Sequence, residues 1–121
     1  MQHKKHLWCL IALLLALAVA SGCSTKNYDT FAKCLSEKGV KMYGAYWCSH
    51  CENQKEMFGD SWKYVNYVEC SLPNRGGQTG ICKDAKIEGY PTWEFADGSR
   101  LSGELSFETL SQKSGCQIEQ P

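Results

Sequence analysis

Two cysteines separated by a serine and a histidine follow a tryptophan in the segment WCSHC, residues 47–51. This spacing supports two chemistries, a dithiol that opens and closes as a disulfide or half of a metal site. Cys48 is the expected attacking thiolate and Cys51, one helical turn further on, the expected resolving thiol. His50 can place positive charge beside the Cys48 thiolate, which stabilises the reduced pair and makes its disulfide a stronger oxidant.

The alternative is a lipoprotein that binds copper or zinc through the CSHC motif, since thiolate and imidazole suit both metals. His50 and Cys51 are adjacent and therefore awkward as ligands of one ion, and the chain has no second Cys-x-x-Cys motif to complete the set. The sequence therefore favours redox chemistry and predicts no metal. A third hypothesis, a structural protein with three static disulfides, makes the aromatic flank of the motif a coincidence.

The elements around the motif must hold Cys48 where negative charge is stabilised. Residues 40–47 (VKMYGAYW) are rich in valine and aromatics and predict a buried strand that leads into the motif. Residues 49–58 contain helix formers, so Cys48 is expected at a helix N-terminus, where unpaired N–H groups and the helix dipole favour a thiolate.

The rest of the chain predicts a small α/β domain. Gly39 indicates the end of a first helix, and Asp97-Gly98 indicates the turn of a hairpin. Ser106 and Gly115 indicate the N-cap and the end of a final helix. The further elements are a helix over 29–38, a strand over 62–70, a short helix over 81–87, a hairpin over 90–104 and a helix over 106–114. This order predicts a sandwich in which helices flank a mixed central sheet.

The first residues have the pattern of a targeting segment. Lys4 and Lys5 precede an apolar run from Leu7 to Ala20, which is short for a membrane span and typical of a secretory signal. The run ends in LAVASGCS, which resembles the lipobox of bacterial lipoproteins and implies a lipidated Cys23. We therefore expect a signal peptide over 1–22, a polar tether over 23–28 and one domain over 29–121. A plain signal peptide and an uncleaved anchor are the alternatives.

Charge and cysteine content narrow the function classes. Removal of Lys4 and Lys5 with the signal lowers the 13 basic residues to 11 against 13 acidic ones, a formal charge of −2, so no nucleic-acid partner is expected. Of eight cysteines, one lies in the signal and one is Cys23. Six remain, an even number that suits disulfides in an extracytoplasmic, membrane-anchored protein in the periplasm or an equivalent compartment.

WCSHC after the first strand and GYPTWEFADG about forty residues later resemble the corresponding segments of thioredoxin-fold proteins. More narrowly, MYGAYWCSHCENQKEMFGDSWKYVNYVEC and IEGYPTWEFADGSRLSGE resemble the thioredoxin-like domain associated with bacterial and plant homologues of vitamin K epoxide reductase. The resemblance covers nearly the whole expected mature chain. It implies a thioredoxin-like sandwich and a thiol-disulfide oxidoreductase.

The resemblance also implies a substrate-binding surface. In such proteins a cis proline faces the Cys-x-x-Cys motif, so Pro91 is expected to be cis, with the Tyr90 backbone free to pair with an extended substrate. Trp47 is expected to contact substrate. The plainer alternatives are a trans proline that starts an edge strand and a half-buried aromatic beside the motif.

Two positions depart from the thioredoxin pattern. Ser49 replaces the usual proline between the cysteines, which removes some rigidity, and Met42 stands in place of a buried aspartate that serves as a proton acceptor. Together with His50, Met42 favours disulfide formation over fast reduction of substrates. Reductase and isomerase functions stay open because they share this site and differ in redox potential and partner.

The resemblance implies substrates and a partner as well. The substrates are expected to be thiols and disulfides of exported proteins, and no cofactor is expected beyond the Cys48–Cys51 disulfide. In the oxidase direction, a separate quinone-linked membrane enzyme similar to vitamin K epoxide reductase would draw electrons from the reduced pair. The equilibrium potential of the pair against glutathione would decide the direction.

Four cysteines outside the motif allow three pairings, and the fold chooses among them. Cys34 in the first helix and Cys116 after the last helix cover neighbouring parts of the sheet, so they are expected to pair. Cys70 at the end of the second strand is then expected to pair with Cys82 and close the glycine-rich loop.

Overall fold

The computed structural model describes residues 27–119. The expected signal segment 1–22, the lipidation site Cys23 and most of the tether lie outside the described residues. Among those that are described, no helix is both long and apolar enough to cross a membrane.

A four-stranded mixed sheet forms the centre of the domain. Its strands are β1 (Lys41–Gly44), β2 (Asn66–Glu69), β3 (Thr92–Glu94) and β4 (Arg100–Ser102). Their order is β2-β1-β3-β4, with β1 and β2 parallel and the other two pairs antiparallel. β1 is therefore a central strand, and its carboxyl end leads into the Cys-x-x-Cys motif.

Within residues 27–119, four α-helices and two 3-10 helices surround this sheet. The α-helices are α1 (Asp29–Glu37), α2 (Ser49–Phe58), α3 (Gly80–Asp84) and α4 (Phe107–Ser114), and the 3-10 helices span Gly59–Tyr64 and Pro73–Arg75. Ser106 caps α4 by accepting the N–H of Thr109 at 3.1 Å, and Gly115 ends it with a left-handed φ of 74°. These are the cap and the stop that the sequence predicts.

The two faces of the sheet are covered separately, because neighbouring residues of a strand point to opposite sides. On the Met42 face a large core forms from α1, α2 and α4, and its main side chains are Phe31, Leu35, Phe58, Trp93 and Leu110. On the Tyr43 face a smaller core contains Cys70, Cys82 and Ile87. The result is a thioredoxin-like fold.

Three predicted elements are shorter or different in the structure. The strand over 40–47 covers only Lys41–Gly44, and the helix over 81–87 ends at Asp84 before Lys86 takes a φ of 55°. In the strand over 62–70, the first residues belong to the 3-10 helix. There the Trp62 ring packs 5.8 Å from the Phe58 ring, so tertiary packing outweighs the alternating pattern.

In the part of the chain that the structure describes, two disulfides connect the elements, and they are the two pairs expected. Cys34 of α1 is bonded to Cys116 across a separation of 82 residues, and Cys70 to Cys82 across 12. The first ties the two ends of the domain together. The second closes the loop that follows β2, next to the motif.

Candidate active site

Cys48 is the N-cap of α2. Its Sγ accepts the backbone N–H of Cys51 at 3.2 Å, and its residue surface is 7% exposed. The geometry arises because β1 stops at Gly44 and a turn then places Cys48 directly before Ser49, the first residue of the helix. A sulfur at this position faces backbone N–H groups and the positive end of the helix dipole, which stabilise a thiolate.

Cys51 lies one turn further along α2 and is fully buried. Its thiol donates a hydrogen bond to Cys48 Sγ, with the two sulfurs 2.6 Å apart. Burial, and then the hydrogen bond to Cys48, raise the pKa of Cys51 to about 12. The two cysteines are therefore unequal: Cys48 caps the helix and keeps 7% of its surface exposed, whereas Cys51 is fully buried and its raised pKa keeps the thiol protonated.

Tyr90 and Pro91 lie beside the motif. The peptide bond between them is cis, Pro91 is buried, and the Tyr90 ring packs edge-on against Trp47 with 5.9 Å between ring centroids. Because Trp47 directly precedes Cys48, this contact brings the two segments expected to bind substrate to the same place. Trp47 keeps 42% of its surface exposed.

The loop closed by the Cys70–Cys82 disulfide holds these aromatic residues in place. Ser71 Oγ accepts the indole N–H of Trp47 at 2.8 Å, and the Arg75 guanidinium lies 5.4 Å from the Trp47 ring centroid. Gln78 donates to the Tyr90 hydroxyl at 2.9 Å. Sequence reasoning missed these supports, and its one signal for them was the expected Cys70–Cys82 bond.

His50 has an acidic partner that the sequence did not reveal. Its Nδ1 lies 2.6 Å from Glu104 Oε1, and the same oxygen accepts a hydrogen bond from Asn53 at 3.0 Å. The hydrogen bonds from His50 and then from Asn53 lower the pKa of Glu104. A negative charge therefore stands next to the imidazole and offsets part of the positive charge that His50 was expected to bring to Cys48.

Met42, which stands in place of the buried aspartate of the thioredoxin pattern, is fully buried among apolar side chains. Within residues 27–119, no group of three or more His, Cys, Asp or Glu side chains is placed to hold a metal ion.

No family model matches the chain. The chain is similar to a thiol-disulfide oxidoreductase. It is 48% identical over 104 residues to the protein of Arabidopsis thaliana named thiol-disulfide oxidoreductase LTO1. The match covers 83% of this chain and 27% of the plant protein, so the chain spans about a quarter of the length of this curated relative.

Proposed function

We propose that this protein is a thiol-disulfide oxidoreductase that acts through Cys48 and Cys51. The observation that carries the proposal is the pairing of a helix-capping sulfur with a buried thiol 2.6 Å away. An N-terminal helix position stabilises the attacking thiolate, and a neighbouring thiol allows a mixed disulfide to be resolved within the protein. The likeness to the plant oxidoreductase supports the same chemistry.

The reaction consists of two exchanges. In the oxidase direction a substrate thiolate attacks Cys48 Sγ, the Cys48–Cys51 bond breaks, and Cys51 leaves as a thiolate that takes up a proton. A second substrate thiolate then attacks the substrate sulfur of the mixed disulfide, and Cys48 leaves as a thiolate. The substrate loses two electrons and gains a disulfide, while the Cys48–Cys51 pair gains both electrons. No cofactor is needed.

The substrates we propose are exported proteins, which present cysteines in extended segments. Trp47 and Tyr90 provide an aromatic surface beside Cys48, held rigid by the loop over 70–82. The proposed compartment lies outside the cytosol, and the two disulfides that residues 27–119 contain apart from the motif support it, because such bonds persist in oxidising surroundings. Lipidation of Cys23 would anchor the domain to a membrane.

A quinone-linked membrane reductase similar to vitamin K epoxide reductase is the proposed electron acceptor. It would oxidise the Cys48–Cys51 dithiol and pass two electrons to quinone, which returns the pair to the disulfide. His50 supports this direction because positive charge beside Cys48 stabilises the reduced pair. The negative charge of Glu104 offsets part of this effect, so the redox potential of the Cys48–Cys51 pair depends on both residues.

The central test compares two single substitutions with a control. Cys48→Ser should abolish exchange with a reduced peptide substrate, whereas Cys51→Ser should accumulate a mixed disulfide at Cys48 that mass spectrometry detects. Ser49→Ala changes an exposed residue between them and should keep activity. Equal residual turnover in both cysteine variants would exclude the proposed roles.

Direction and location need separate measurements. Equilibration of the wild-type pair with glutathione gives its potential, and a value near that of thioredoxin, about −270 mV, would contradict the oxidase direction. Cys23→Ala should release the protein from the membrane fraction, and unchanged association would contradict lipid anchoring. Vesicles that contain the membrane enzyme and quinone should reoxidise the reduced protein, and failure to do so would exclude that partner.

A further inference from the structure

This inference rests on the proposed exchange, in which the buried Cys51 has to lose or gain a proton. The residue is fully buried, and burial together with the Cys48 contact raises its pKa to about 12. In the exchange it must lose a proton to attack a mixed disulfide, or gain one after it leaves the Cys48–Cys51 disulfide. The sulfur has no exposed surface in this state, so a side chain beside it can speed the transfer of its proton to and from solvent.

Gly44 leaves space beside Cys51, and Tyr67 fills that space. A Cβ on Gly44 would stand 3.1 Å from Cys51 Sγ and 3.2 Å from the Tyr67 hydroxyl oxygen. Both atoms therefore lie within 3.2 Å of one point beside Gly44, and no Gly44 side chain stands between them. Any larger residue at this strand position would come between them.

The sheet register explains this arrangement. Gly44 and Met42 point to the same face of β1, and their partners in β2 are Glu69 and Tyr67. Tyr67 and Glu69 are two residues apart and share that face. The tyrosine side chain therefore passes beside Gly44 toward the carboxylate of Glu69, and its hydroxyl donates to Glu69 Oε2 at 2.7 Å.

Glu69 accepts the hydrogen bond of Tyr67 and is itself partly exposed to solvent. Its other oxygen, Oε1, accepts the backbone N–H groups of Ser71 at 2.8 Å and Tyr46 at 3.2 Å. The residue is half-buried, unlike Cys51. Since the Tyr67 hydroxyl donates to Glu69, its lone pairs remain to accept the Cys51 proton, which loses its own acceptor when Cys48 Sγ is bonded to a substrate.

Tyr67 itself is not the base. Burial, and then the hydrogen bond to Glu69, raise the pKa of Tyr67 well above its usual range, so the phenol stays protonated. It can pass a proton on only by accepting one while it donates another. Lys55 lies over the Tyr67 ring with Nζ 4.6 Å from the centroid, and its positive charge favours the Cys51 thiolate.

We infer that Tyr67 and Glu69 form a proton relay for Cys51. When Cys51 resolves a mixed disulfide, its proton passes to the Tyr67 oxygen while the Tyr67 proton passes to Glu69. The Cys51 thiolate bonds to Cys48 Sγ, and the bond between Cys48 and the substrate sulfur breaks. The substrate leaves as a thiolate, reduced by two electrons at the expense of the cysteine pair, and Glu69 releases its proton to water.

The experiment follows the reaction of the reduced full-length protein with 5,5′-dithiobis(2-nitrobenzoate) in a stopped-flow spectrophotometer. Attack by Cys48 releases one thionitrobenzoate, and attack by Cys51 on the resulting mixed disulfide releases a second. The two phases therefore report separately on Cys48 and on Cys51. The first reports the nucleophile of the proposed function, and the second reports the deprotonation of Cys51.

The variants are Tyr67→Phe and Glu69→Gln, with Tyr43→Phe as a matched control. Tyr43 also carries a hydroxyl near a carboxylate, 3.5 Å from Glu94, but it points to the opposite face of β1. Tyr67→Phe and Glu69→Gln should each slow the second phase about a hundredfold at pH 7, the range typical of general acid-base catalysis. The first phase should match that of the control.

The pH profile distinguishes proton transfer from a structural effect. The titratable groups that face Cys51 are Cys48 and Lys55 on its own helix and Tyr67 with Glu69 on β2. In both relay variants the deficit should shrink as the pH rises toward 10, because hydroxide then removes the Cys51 proton directly. The double variant should be no slower than either single one, since both act in one chain.

Second-phase rates equal to that of Tyr43→Phe, or a deficit that does not change with pH, would overturn the relay. Loss of the first phase in the wild-type protein would instead reject the proposed function. If Tyr67→Phe fails to fold by circular dichroism, Glu69→Gln alone decides, because its amide keeps the size of the carboxylate.

Discussion

Replacement of Gly44 by alanine tests the packing on which the site depends. A Cβ at this position would stand 2.8 Å from Tyr67 Cε2 and 3.1 Å from Cys51 Sγ. Tyr67 cannot move freely, because its hydroxyl is hydrogen-bonded to Glu69 and its ring packs 5.7 Å from the Trp62 ring. Cys51 is fully buried, so its sulfur also has little room. The added methyl group therefore overpacks the core beside the motif.

The expected magnitude combines two opposing effects. Overpacking of a rigid core costs about 1–3 kcal/mol. Alanine in place of glycine in a strand recovers about 0.5–1 kcal/mol of backbone entropy. The net loss in the free energy of unfolding should lie within about 0–2.5 kcal/mol. A loss of about 1 kcal/mol, near the middle of that range, corresponds to a fall of about 0.5 M in the urea midpoint of a small domain.

Gly80→Ala provides the matched control. Gly80 is the first residue of α3, has nothing within 4 Å of its ideal Cβ and has no left-handed φ, so alanine should leave the midpoint unchanged or raise it. Both variants are unfolded in urea with the motif reduced and the other disulfides intact, monitored by tryptophan fluorescence. A midpoint for Gly44→Ala at or above the wild-type value would refute the packing argument.

Further predictions concern the disulfides, the buried thiol and a helix cap. Joint replacement of Cys34 and Cys116 by alanine should cost about 4.5 kcal/mol by the chain-entropy relation for a separation of 82 residues, and a smaller loss than for the 12-residue disulfide would contradict it. The raised Cys51 pKa stabilises the reduced protein fully below pH 9 and is lost as pH rises toward 12, so urea midpoints should fall there. Cys51→Ala should lack this fall. Ser106→Ala removes the cap of α4 and should cost about 1 kcal/mol by thermal unfolding; no change would mean the cap is unimportant.

The sequence alone was sufficient for the features that depend on local spacing. The helix formers of residues 49–58 placed Cys48 at the start of α2, and its bounds Ser49–Phe58 agree with the prediction. The Asp97-Gly98 turn and the Ser106 and Gly115 caps were also predicted, because a few adjacent residues fix those backbone angles. The disulfide pairs followed once the element order defined the fold.

Only the tertiary structure decided which distant side chains meet at the motif. Glu104 lies 54 positions from His50 along the chain, and no local sequence pattern predicts that its carboxylate contacts the imidazole. The meeting of Tyr67 with Cys51 likewise requires the parallel register of β1 and β2 and the absence of a side chain at Gly44. Spacing along the chain thus determines which cysteine caps the helix, whereas sheet register and loop packing determine the charges and proton acceptors around it.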